Sequence, residues 1–233
     1  MAEPLLLIPG LMCAGALFKP QIDAFSGNRE VIIANHCRAD DMTEIARQIL
    51  SDAPGSFALA GLSMGVYLSL EIMALAPNRV TRLALLDGRA GLDTPQQSAA
   101  RRGLIAMADE GNYLEITTDV LLNRLIAPGS AAEPELRDCI IQMAIDTGEK
   151  VFRRQLAAIL DRPDYLAGLA DIACPTLILT GDLDVITPPE CAMEMANGVP
   201  HAMLNLVPQC GHLSTLEKPE MVNEAIHDWL DKT

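Results

Sequence analysis

Six short apolar runs, separated by helical stretches and most of them stopped by a breaker, constrain this chain more than any other feature. Leu5-Leu6-Leu7-Ile8 stops at Pro9-Gly10. Val31-Ile32-Ile33-Ala34 and Phe57-Ala58-Leu59-Ala60 follow, and Leu83-Ala84-Leu85-Leu86 stops at Asp87-Gly88. Thr176-Leu177-Ile178-Leu179 follows Pro175 and stops at Gly181, and Met203-Leu204-Asn205-Leu206-Val207 ends at Pro208. Runs of this length with helices between them predict an α/β fold: a mostly parallel sheet of about six strands with helices on both faces. The clearest helices span 64–76 and 219–230, the second opened by Pro219 at a first position where its missing N–H costs nothing.

One stretch breaks the alternation. Between residues 94 and 166 there is no strand candidate. A helix capped by Thr94-Pro95 runs to just before Gly111, and others are expected over 114–126, 134–147 and 151–160. The chain therefore divides into a core of residues 1–93 and 167–233 and an inserted helical cap, a lid candidate, of residues 94–166.

Charge narrows the class of partner. Seventeen basic against thirty-one acidic residues give a net charge of −14, and no basic cluster exceeds a pair such as Arg101-Arg102. Nucleic acid and anionic membrane surfaces both need a basic footprint, so a small-molecule substrate is expected. The apolar stretch from Pro4 to Phe18 has no positive leader and is broken by Pro9-Gly10, so it reads as a strand entering a turn and not as a signal peptide. The six cysteines, 13, 37, 139, 174, 191 and 210, form no C-x-x-C and no zinc spacing, which points to free thiols in a cytoplasmic protein.

Gly61-Leu62-Ser63-Met64-Gly65 lies directly between a strand and a helix. In that context G-x-S-x-G is a nucleophile elbow: the serine takes a strained backbone, and side chains two residues before and after would strike neighbouring elements. A serine hydroxyl needs a base and the base needs an orienting acid. Of the histidines 36, 201, 212 and 227, only His36 and His212 follow strands on the rim shared with Ser63. On the same rim the acid candidates are Asp182, Asp184 and Asp87.

The pentapeptide 61–65, the turn Gly181-Asp182-Leu183-Asp184, and Gly211-His212 before the helix opened by Pro219 together resemble the α/β-hydrolase family, in its order Ser, Asp, His. The resemblance implies Ser63 as nucleophile, His212 as general base and Asp184 as the acid. It implies an oxyanion hole from the N–H groups of Leu11 and Met64, and neither metal nor organic cofactor. Two departures stand out. Pro9-Gly10 replaces the family's usual His-Gly, and the sequence starts at what would be the third strand, so six strands are expected instead of eight.

The expected function is hydrolysis of a small carboxylic ester or related acyl compound. C–C bond, lactone or thioester hydrolysis on the same triad is the alternative, and a non-catalytic ligand receptor a more distant one. Aromatics are only 3% of the chain, so the pocket should be aliphatic. Arg89 is a candidate for a substrate carboxylate, against a salt bridge to Asp93 or another cap acid. Met107 and Met143 are candidate substrate contacts, and Cys13 a candidate pocket residue.

Overall fold

The computed structural model describes residues 2–231. Its centre is a sheet of six strands, all parallel: β1 Leu5–Ile8, β2 Val31–Ile33, β3 Phe57–Leu62, β4 Val80–Leu86, β5 Thr176–Gly181 and β6 Met203–Val207. They lie in the order β2-β1-β3-β4-β5-β6. Each apolar run of the sequence is a strand, and four extend or shorten it by one to three residues.

Strand side chains alternate between faces, and the core divides accordingly. Leu6, Ile8, Leu59, Leu83, Leu85 and Ile178 pack on one side, against α2 Met42–Asp52, α3 Met64–Leu75 and α9 Pro189–Gly198. Leu5, Leu7, Ala60, Leu86 and Leu179 pack on the other, against α1 Lys19–Phe25 and α11 Pro219–Asp231 with its buried Trp229. Each buried Leu, Ile or Phe contributes about 1.5–3 kcal/mol, whether it comes from the sheet or from the helices packed on it. No helix among the described residues is long and apolar enough to cross a membrane.

Between β4 and β5 the chain is helical apart from turns. α4 Pro95–Asp109 begins with a capping box in which Thr94 and Gln97 satisfy each other's backbone N–H. α7 Pro134–Thr147 and α8 Glu149–Leu160 meet at Gly148, whose φ of +74° suits glycine. The single helix expected over 114–126 is instead three pieces: α5 Tyr113–Glu115, a π-helical turn Ile116–Leu121, and α6 Leu122–Leu125. The last short helix is α10 Ser214–Glu217.

Strand order reverses direction at β1, which has β2 on one side and β3 on the other. In a parallel α/β sheet the loops leaving two such strands diverge and open a crevice at their carboxyl ends. Gly10-Leu11 leaves β1 there, and Ser63 leaves β3.

Candidate active site

Ser63 has φ 57° and ψ −111°, the positive-φ backbone expected of a sharp strand-to-helix turn. A Cβ on Gly61 would run into the backbone of Gly65 and the Ser69 hydroxyl, and one on Gly65 into the Ile8 carbonyl of β1. Both glycines of the pentapeptide are therefore steric requirements. The Ser63 N–H donates to Leu86 O of β4 at 3.0 Å, tying the turn to the neighbouring strand.

His212 and Asp184 come to this serine from the ends of β6 and β5. Ser63 Oγ lies 2.8 Å from His212 Nε2, and His212 Nδ1 lies 2.7 Å from Asp184 Oδ2. Asp184 also accepts from the N–H groups of Ile186 (2.8 Å) and Thr187 (3.0 Å) and from the Thr187 hydroxyl (2.8 Å), so all four of its acceptor sites are used. Burial opposes its ionisation, but the facing His212 and these donors hold its carboxyl below the usual range. Burial likewise opposes a charged His212, yet Asp184 raises its pKa above that of an ordinary histidine. An ionised Asp184 accepts a hydrogen bond from Nδ1–H, which leaves Nε2 to accept one from Ser63.

The other candidates for these roles face elsewhere. Asp182 is exposed and accepts from the Cys210 N–H at 3.3 Å. Asp87 is fully buried; its oxygens accept from the Gly181 N–H (3.1 Å) and the Ser214 N–H (3.2 Å), and Ser214 Oγ is 2.5 Å away. Burial, with the charge of Asp184 added, pushes the Asp87 carboxyl up to about 8. His36 is buried and donates from Nε2 to Gly10 O at 3.1 Å, and burial lowers its pKa, keeping the ring neutral. The Pro9-Gly10 turn is therefore pinned by a histidine from the loop after β2.

A second pin comes from the inserted helices: Gln155 of α8, fully buried, accepts the Met12 N–H at 3.1 Å. The N–H groups of Leu11 and Met64 have no acceptor among the described residues, and both residues line the cavity over Ser63. That cavity of about 90 Å³ is mostly aliphatic, walled by residues such as Leu62, Leu104, Leu121, Leu125, Ile140 and Ile159. Several of these belong to the inserted helices.

Three expectations about substrate contacts need correction. Arg89 does not line the cavity; its guanidinium donates to Gln97 Oε1 (2.7 Å) and reaches Cys191 Sγ (3.4 Å), and no salt bridge to Asp93 forms. Asp93 is taken by Arg101 and Arg162. Met107 packs half-buried against the core and Met143 is buried in it, and neither reaches the cavity. Cys13 does line it, with its thiol pushed up to about 12 by burial and by Cys139. Arg101, which sequence reasoning passed over, lines it too. The signal was the spacing of Arg101, Leu104 and Ala108, which puts all three on one inward stripe of α4. All six cysteines are free thiols, and among the described residues no cluster of His, Cys, Asp or Glu is placed to hold a metal ion.

Comparison with known proteins identifies the family of the chain. Residues 24–225 match the alpha/beta hydrolase family. A curated relative, (E)-2-((N-methylformamido)methylene)succinate hydrolase of Acinetobacter baylyi, is 26% identical over 99% of this chain and 91% of its own. Pimeloyl-[acyl-carrier protein] methyl ester esterase of Vibrio atlanticus is 24% identical over 89% of this chain and 86% of its own. Among solved structures, a thermophilic esterase from Thermogutta terrifontis superposes with a TM-score of 0.89 at 27% identity, covering 99% of this chain and 90% of that one. With the match spanning most of its length, the chain belongs to the alpha/beta hydrolase family and is a hydrolase.

Proposed function

We propose that the protein hydrolyses a small carboxylic ester or related acyl compound through an acyl-enzyme on Ser63. The observation that carries this reading is the unbroken hydrogen-bonded line from Ser63 Oγ through His212 to Asp184. Ser63 Oγ attacks the carbonyl carbon as its proton passes to His212 Nε2. The resulting oxyanion is stabilised by the N–H groups of Leu11 and Met64, both still free to donate, and each such donor is worth about 10²–10³ in rate. His212 then protonates the departing alcohol, leaving the acyl group on Ser63. A water molecule gives a proton to His212 and attacks the acyl-enzyme, and the carboxylic acid leaves as Ser63 regains its hydrogen. Asp184 stabilises the imidazolium at both steps.

In this reading residues 1–93 and 167–233 are the catalytic core, and residues 94–166 are the cap that roofs the cavity. The aliphatic lining suits a short apolar acyl chain and excludes water from the reacting carbonyl. The relatives named above are named for chemically different substrates, one a methyl ester and one an (N-methylformamido)methylene succinate. C–C bond, lactone or thioester cleavage on the same three residues is therefore the second reading, and identifying the leaving group released in turnover separates it from ester hydrolysis.

The test is the intact mass of the protein after exposure to a fluorophosphonate, with the adduct located by peptide mapping. A single adduct on Ser63, absent in His212→Ala, is the expected result. No adduct on the folded wild type would overturn the assignment of Ser63 as nucleophile.

A further inference from the structure

We propose that Arg101 makes this cavity selective for substrates that carry a second, free carboxylate, so that the scissile ester is one end of a short dicarboxylic acid. The inference rests on Ser63 being the nucleophile. Among the described residues that line the cavity, Arg101 is the one permanent charge; apart from His212 the rest are apolar or neutral polar groups. It sits close enough to the base for its charge to oppose protonation of His212.

The charge of Arg101 is only partly used by the protein. Its Nε donates to Asp93 Oδ2 at 2.6 Å, its Nη2 reaches Oδ1 only at 3.5 Å, and Nη1 has no acceptor among the described residues. Asp93 is shared: Arg162 Nη2 donates to the same Oδ1 at 3.1 Å. Arg162 is locked in place, almost fully buried, with its guanidinium 4.2 Å from the Tyr67 ring centre and further bonds to Ile159 O (2.7 Å) and Gly91 O (3.0 Å). Two guanidiniums thus share one carboxylate, leaving one positive charge uncompensated beside an aliphatic cavity.

The Arg101 side chain is 21% exposed, so water serves its unpaired edge until a substrate displaces it, and an edge left unpaired then is costly. A carboxylate completes it through the free edge of the guanidinium, whose planar fork matches two carboxylate oxygens. A neutral chain in the same place leaves Nη1 unpaired, which is the arrangement that discriminates most strongly between related substrates. The protein as a whole carries −14, so attraction for an anion has to be local, and Arg101 supplies it.

The test compares hydrolysis of the monoethyl esters of succinate, glutarate and adipate with ethyl butanoate, pentanoate and hexanoate, each pair matched in chain length. The wild type is expected to favour at least one hemi-ester over its neutral twin by about tenfold or more in kcat/KM, mostly through KM, the size of one charge-assisted hydrogen bond. In Arg101→Gln the ratio falls to near one, and in Arg101→Lys part of it returns. Ratios near one for all three wild-type pairs, which need no variant to fold, overturn the proposal, as does an unchanged ratio in a folded Arg101→Gln. If no ester of either series turns over while fluorophosphonate still labels Ser63, the carboxylate preference is wrong and the hydrolase reading stands. If Ser63 is not labelled either, both fall.

Discussion

A backbone at φ 57° and ψ −111° costs Ser63 on the order of 1–3 kcal/mol, and it persists because the residues around it leave no alternative. Gly10 is part of that setting: a Cβ there would press on Ser63 Cβ at 3.3 Å, so the two turns are packed directly against each other. The carbonyl of Gly10 is in turn held by His36, and the following Met12, itself at φ 59°, by Gln155. On the proposed mechanism His36 is then a positioning residue for the Leu11 N–H. His36→Ala should lower kcat by about tenfold, less than the 10²–10³ of losing an oxyanion donor outright, with KM little changed. His36→Gln, which keeps a donor, should restore part of the loss. Steady-state kinetics on a simple ester, with folding checked by circular dichroism, decides it; a change in KM alone would assign His36 to packing.

The helices between β4 and β5 also bond to the loop that carries His212. The N–H groups of His212 and Leu213 both donate to Leu125 O, at the end of α6. Glu217 of α10 joins the two segments: its carboxylate accepts the Ala127 N–H at 2.7 Å and the Gly211 N–H at 2.9 Å. Glu217→Ala leaves two backbone donors without their partner and should cost about 1–3 kcal/mol of stability. Urea unfolding measures that, and kcat should fall with it because Gly211 adjoins His212. A stable variant of undiminished kcat would mean that the loop is held by Leu125 alone. The segment 114–126 was the least legible element in the sequence. Its spacing reads as one helix, but the β-branched run Ile116-Thr117-Thr118 is a poor helix former, and the Thr118 hydroxyl bonds back to Leu114 O. The π-helical turn that results carries Thr117 and Leu121 into the cavity wall.

Across the whole molecule, the sheet order places Ser63, Asp184 and His212 at one rim, and it also buries a second carboxyl close to them. Asp87, at the end of β4, faces Asp184 and His212 electrostatically and holds its proton up to about 8. The folded state therefore binds a proton that the unfolded chain releases near 3.8, and stability should fall as pH rises from about 4 to about 8. Asp87→Asn removes that proton uptake. Urea unfolding at a series of pH values should give a flatter profile for the variant across this window, at the expense of the bond to the Ser214 N–H. Parallel profiles for the two proteins would show that Asp87 is ionised in the fold.

Much of this was legible along the chain. Strands, most helices and the glycine-flanked serine follow from period, breakers and turn chemistry, which are properties of near neighbours. Resemblance supplied which acid and which histidine to pair with Ser63, where the spacing alone left Asp87, Asp182 and His36 open. The partners that complete the site were not legible, because they meet across the fold. His36 and Gly10 are 26 residues apart, and Met12 and Gln155 are 143 apart. Arg89 and Arg101 read alike as cations near the insertion, and only the packing of α4 decides that the second faces the cavity while the first is spent on Gln97 and Cys191. Local sequence determines which elements form and which chemistry they carry. Which unpaired donor meets which carbonyl, and where one guanidinium keeps its charge, depend on how strands order and helices tilt in three dimensions.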